Sequence, residues 1–107
     1  MNARLYTGNT NVVEIDQLKN DIDNIYLDNN AVVQLTVYDG VNEMAGQVWP
    51  VTMSYIGADG LFRVLLNSSL AFVHRKEYKL VVTSTDAGSG LDGQWSDIVT
   101  AYDRGDN

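Results

Sequence analysis

The sequence predicts an all-β domain, a sandwich of about seven antiparallel strands. Three observations carry this. Apolar residues alternate with polar ones at period two in successive stretches, and helical spacing is scarce. Clusters that tolerate positive φ, at Asp39-Gly40, Ala58-Asp59-Gly60 and Asp86-Ala87-Gly88-Ser89-Gly90, separate those stretches. The chain has 107 residues, 45% of them hydrophobic, which suits a single domain with its own core.

Residues 1–10 are polar and read as an N-terminal arm, with Leu5 and Tyr6 as its anchors. Residues 12–15 read as a first strand. Ile15, Leu18 and Ile22 fall near helical spacing, but Asn and Asp dominate 16–24, so a loop or short turn is expected there. In 31–38, Val33, Leu35 and Val37 share a face opposite Gln34 and Thr36. In 47–55, Trp49, Val51, Met53 and Tyr55 share a face opposite Thr52 and Ser54, and Pro50 marks an edge or a strand start. Phe62, Val64 and Leu66 alternate against Arg63, and the compact link 57–60 predicts a hairpin with the strand before it. Residues 67–77 form a long connection, anchored by Leu70 and Phe72. Tyr78, Leu80 and Val82 then face inward, with Lys79 and Thr83 outward. The last stretch, 94–102, is less tidy: Trp95, Val99 and Ala101 alternate against Ser96 and Thr100. The domain is therefore drawn over 11–103, with 104–107 as a polar tail.

Composition excludes several functions. Cysteine is absent, so disulfides, thiol catalysis and Cys-ligated zinc are impossible. Seven basic residues face fourteen acidic ones, a net charge of −7, and the one basic cluster is His74-Arg75-Lys76. A nucleic-acid partner is not expected. No apolar run approaches the ~20 residues that span a bilayer, and the first residues lack the apolar stretch of a secretion signal. The expected site of synthesis is the cytoplasm, with no membrane partner.

Possible chemical sites read as structure instead. Gly88-Ser89-Gly90-Leu91-Asp92-Gly93 spells GxGxxG, but a dinucleotide site needs a helix after it, and a strand follows. Asp21-Ile22-Asp23-Asn24 lacks the glycine and the final glutamate of a calcium loop, and nothing fixes Asp86, Asp92 and Asp97 on one ion. His74 is the sole histidine and has no serine elbow to serve. Asn67-Ser68-Ser69 matches a glycosylation acceptor, read as chance without a secretion signal. No catalytic residue, metal or cofactor is expected. Tyr26, Tyr38 and Tyr102, with Leu5 and Tyr6, are the candidate contact residues, because outward tyrosines serve binding well.

One set of positions sharpens the fold. Trp49 reads as the tryptophan of a third strand, and Tyr78 stands two residues before the inward Leu80. These are core marks of immunoglobulin-like sandwiches, with Leu80 in place of the second cysteine. The core is expected to hold Trp49, Phe62, Tyr78, Leu80 and Trp95, together with Val33, Leu35, Val37, Val51, Met53, Val64 and Val82.

Several strings carry a closer resemblance. They are Ala31-Val32-Val33-Gln34-Leu35-Thr36-Val37-Tyr38-Asp39, Val48-Trp49-Pro50-Val51, Asp59-Gly60-Leu61-Phe62-Arg63, Tyr78-Lys79-Leu80-Val81-Val82-Thr83 and Gly93-Gln94-Trp95. Together they resemble small immunoglobulin-like proteins encoded among the virion genes of tailed bacteriophages and prophages. Phe62 departs from the tyrosine usual there, at the loss of one hydroxyl. The resemblance implies a non-enzymatic virion protein of the head, neck or tail, packing on other virion proteins in many symmetric copies. The alternatives are a module that binds carbohydrate or a cell surface, and a small acidic inhibitor of a host protein.

Overall fold

A computed structural model describes residues 2–20, 25–57, 60–86 and 92–103. Every regular element among them is a strand, as the period-two patterning dictates. The strands are β1 (Asn2–Ala3), β2 (Leu5–Tyr6), β3 (Asn11–Ile15), β4 (Lys19–Asn20), β5 (Ile25–Tyr26), β6 (Ala31–Asp39), β7 (Asn42–Glu43), β8 (Val51–Tyr55), β9 (Phe62–Leu66), β10 (Glu77–Asp86) and β11 (Asp92–Tyr102).

The main sheet runs in the order β1-β3-β9-β8-β6-β10-β11-β2, with β7 paired to β6 alone. Its two terminal strands, β1 and β2, are separated only by Arg4. The sheet therefore curls until its ends meet on one stretch of chain, a nearly closed, barrel-like arrangement. β8 makes this possible by pairing with β6 through Val51, Thr52 and Met53, and with β9 through Ser54 and Tyr55. All pairings are antiparallel except β11 with β2, which is parallel. The expected all-antiparallel set is corrected at that point, because the N-terminal segment runs alongside β11 in the same direction.

The alternation works as read. Val33, Leu35 and Val37 from β6 meet Leu80 and Val82 from β10, Phe62 and Leu66 from β9, and Val13 and Ile15 from β3, all buried in one cluster. The hairpin of β8 and β9 forms, with Ser54 opposite Arg63 and Tyr55 opposite Phe62. Loops close the ends of the core: Leu18, Leu27, Met44, Leu70 and Phe72 are all buried. Leu70 and Phe72 thus anchor the long connection as expected. At its end the buried Tyr78 stacks edge-on against Phe72, with ring centroids 4.9 Å apart. The Val73 N–H donates to the Tyr78 hydroxyl at 2.8 Å.

Four expectations change. The two tryptophans are half-buried at the margin of the core, whereas Phe62, Tyr78 and Leu80 are fully inside. Trp49 lies ahead of β8 and not on a strand; its indole N–H donates to the Met44 carbonyl at 2.7 Å, which draws it out of the strand register. The core positions facing Leu80 are filled by β6 instead, with Val37 directly opposite. Trp95 is on β11, its ring lying over Gly93, where a Cβ would stand 2.6 Å from the indole. Val51 and Val64 are also only partly buried. The 16–24 region holds β4, which pairs with β5 in a small ribbon, in place of a plain loop. The fourth change concerns the N-terminal arm and is set out next.

Candidate interaction surface

Within the N-terminal segment, Asn2–Ala3 and Leu5–Tyr6 join the main sheet. Asn2 and Ala3 pair with Glu14 and Val13, and Leu5 and Tyr6 pair with Ala101 and Tyr102. A polar segment holds this position through Asn11, buried at 2% exposure. The Tyr6 N–H donates to the Asn11 side-chain oxygen at 2.9 Å, and the Asn11 amide donates back to the Tyr6 carbonyl at 3.1 Å. Leu5, 1% exposed, enters the core. As a contact residue for a partner it is therefore corrected: a side chain with no exposed surface anchors the segment to its own domain.

Three of the five contact candidates, Leu5, Tyr6 and Tyr102, come together, and Tyr26 and Tyr38 do not join them. Tyr6 and Tyr102 are register partners, and beside them lies an open depression lined by Ala3, Arg4, Leu5, Val99 and Thr100 as well. The Thr7 hydroxyl donates to the Asp103 carboxylate, the Asp103 N–H donates to His74 Nδ1 at 2.9 Å, and the His74 ring stands edge-on to Tyr102. His74 is thus part of a latch joining three segments. Tyr26 sits apart on the β4–β5 ribbon, with the Lys19 ammonium 4.8 Å from its ring centre. Tyr38 lies half-buried on β6, opposite Lys79 and Glu43.

Ion pairs tie neighbouring segments together, among them Arg63 of β9 with Glu14 of β3 at 2.9 Å and Lys76, just ahead of β10, with Asp39 of β6 at 2.7 Å. The hydrogen bond that the Lys76 ammonium donates to the Asp39 carboxylate raises the Lys76 pKa above its ordinary value. Among the described residues no group of three or more His, Asp or Glu side chains gathers to hold a metal ion. Nor does any described helix have the length and apolarity to cross a membrane. Asp21 to Asn24 and Gly88 to Leu91 lie outside the described residues, and the chain after the glycine motif enters strand β11.

The feature that the sequence did not single out is the outer edge of β11. The Ala101 N–H donates to Lys76 and the Ala101 carbonyl accepts from Arg75, so the odd-numbered residues of β11 turn their main chain toward β10. The even-numbered ones turn away. Tyr102 confirms the parity, its carbonyl accepting from the Thr7 N–H on the opposite side. β2 covers β11 only at Ala101 and Tyr102. Asp97 points to the inner face in register with the buried Leu80, yet is itself exposed, and its carboxylate accepts from the Ile98 N–H at 2.9 Å. A charge at an inward position marks an edge strand. It was legible as the break in the alternation between Trp95 and Val99.

No match was found among protein-family models, curated proteins or solved structures.

Proposed function

We propose that the chain is a non-enzymatic, immunoglobulin-like structural module of a tailed-phage virion, packing on other virion proteins of the head, neck or tail. The observation that carries the architectural half is the corner at Tyr78. Its hydroxyl accepts the Val73 N–H from five residues upstream, two residues before the buried Leu80. This bond matches the form of the tyrosine corner of immunoglobulin-like sandwiches and so supports that reading. The strand order is compatible with this reading: the single sheet β1-β3-β9-β8-β6-β10-β11-β2 would become a sandwich by folding at β8, which pairs with β6 at one end and β9 at the other. An N-terminal segment paired with β3 and then with β11 suits the same architecture. The departures are the absent strand tryptophan and the aliphatic residues in place of cysteines.

The virion half rests on the resemblance of the segments between Asn30 and Asp103 and agrees with the surface. The described surface offers strand edges and half-buried tyrosines, features that suit packing against a scaffold more than turnover of a small substrate. The test is co-sedimentation with particles from the phage or induced lysogen that encodes the chain. A fixed copy number per particle is the expected result, and its value separates head decoration from a neck or tail ring. A chain absent from purified particles overturns the proposal.

A further inference from the structure

We propose that the outer edge of β11 docks an extended, basic segment of a partner protein, which joins the sheet as an added strand. The main chain of Gln94, Ser96 and Ile98 faces away from β10, and among the described residues no strand pairs with it there. An extended segment satisfies such groups by continuing the ladder. The Ile98 N–H is held meanwhile by its neighbour, the Asp97 carboxylate. When a partner carbonyl takes that N–H, the carboxylate is released and turns to a cation on the incoming strand.

Charge selects the occupant. A second copy of this chain would pair antiparallel about a twofold axis. With the axis near the middle of the edge, the two Asp97 side chains lie on one face, directly opposite or diagonal, about 5–8 Å apart. Like charges at that spacing oppose pairing, and the net charge of −7 on each copy adds to the repulsion. A Lys or Arg opposite Asp97 reverses the sign. The exposed Ile98, 56% accessible on the other face, offers an apolar contact for the same strand. This inference deepens the virion reading by naming the edge through which the module binds, and it can fail separately from it.

The probe is a synthetic peptide of alternating valine and lysine, compared with its valine–glutamate counterpart. Amide shifts and hydrogen exchange are followed in the intact chain by NMR. The lysine peptide should shift and protect the amides of Gln94, Ser96 and Ile98, with affinity falling as salt rises. Asp97→Lys, a change at an exposed site, should invert the preference between the peptides by about tenfold. Equal binding of both peptides, protection at another edge, or amides already protected in the free chain overturns the proposal. So does a dimer of the unmodified chain formed through β11. Normal particle incorporation of the Asp97→Lys chain would remove the edge from the assembly contact while leaving the virion reading intact.

Discussion

Tyr78 combines two contacts that a phenylalanine could only half supply. Its ring packs edge-on against Phe72 inside the core, while its hydroxyl accepts the Val73 N–H. Tyr78→Phe keeps the ring and leaves that N–H without its partner, at a cost of about 1–2 kcal/mol. Urea denaturation measures it, and unchanged stability would show the corner to be dispensable. Gly60 is set differently, by lack of space. It sits at φ +68°, and a Cβ there would stand 2.5 Å from the Leu18 carbonyl oxygen and 2.6 Å from the Leu18 nitrogen. Main-chain atoms cannot step aside as a side-chain tip can. Gly60→Ala should destabilise by roughly 2–3 kcal/mol, visible as a lower melting temperature. The turn at Gly60 was legible from Asp59-Gly60. The crowding was not, because Leu18 is distant in sequence and meets Gly60 only in the fold.

At the level of elements, the N-terminal segment was the least legible. A polar decapeptide reads as an arm when nothing indicates what covers it. The fold covers it on both sides, β1 against β3 and β2 against β11, and the Asn11 amide pins the crossing. Leu5→Ala should therefore behave as a core truncation, costing about 2–5 kcal/mol in chemical denaturation. A loss below about 0.5 kcal/mol would return the segment to the status of a loose arm. Strands β6, β9 and β10 were legible because each keeps three alternate apolar residues facing the core, Tyr78, Leu80 and Val82 in β10 before the row reaches the buried Ser84. β11 was read less cleanly, since edge strands need fewer apolar residues and carry charge where inner strands cannot. Trp49 misled for a local reason: an indole N–H bonded to the Met44 carbonyl holds the ring at the margin, and no pattern of alternation encodes that bond.

Across the whole molecule, fourteen acidic side chains oppose seven basic ones. Like charges crowd together on folding, so self-repulsion opposes the compact state. Screening should relieve it. Raising NaCl from about 10 to 300 mM is expected to raise the melting temperature by a few degrees, since the Debye length falls from about 30 Å to under 8 Å. The exposed Arg63–Glu14 and Lys76–Asp39 pairs weaken under the same change, but surface pairs contribute little each. A melting temperature that falls with salt would mean that these local pairs outweigh the net charge.

The sequence by itself determined the all-β class, the hairpin of β8 and β9, and the buried faces of β6, β9 and β10. Period-two patterning is a local property, and burial enforces it strand by strand. Only the tertiary structure decided where the N-terminal strands pair, which residues occupy the centre of the core in place of the tryptophans, and which strand edge has no neighbour among the described residues. Those outcomes depend on contacts between residues far apart in the chain, such as Leu5 with Ala101 and Gly60 with Leu18, which no local pattern records.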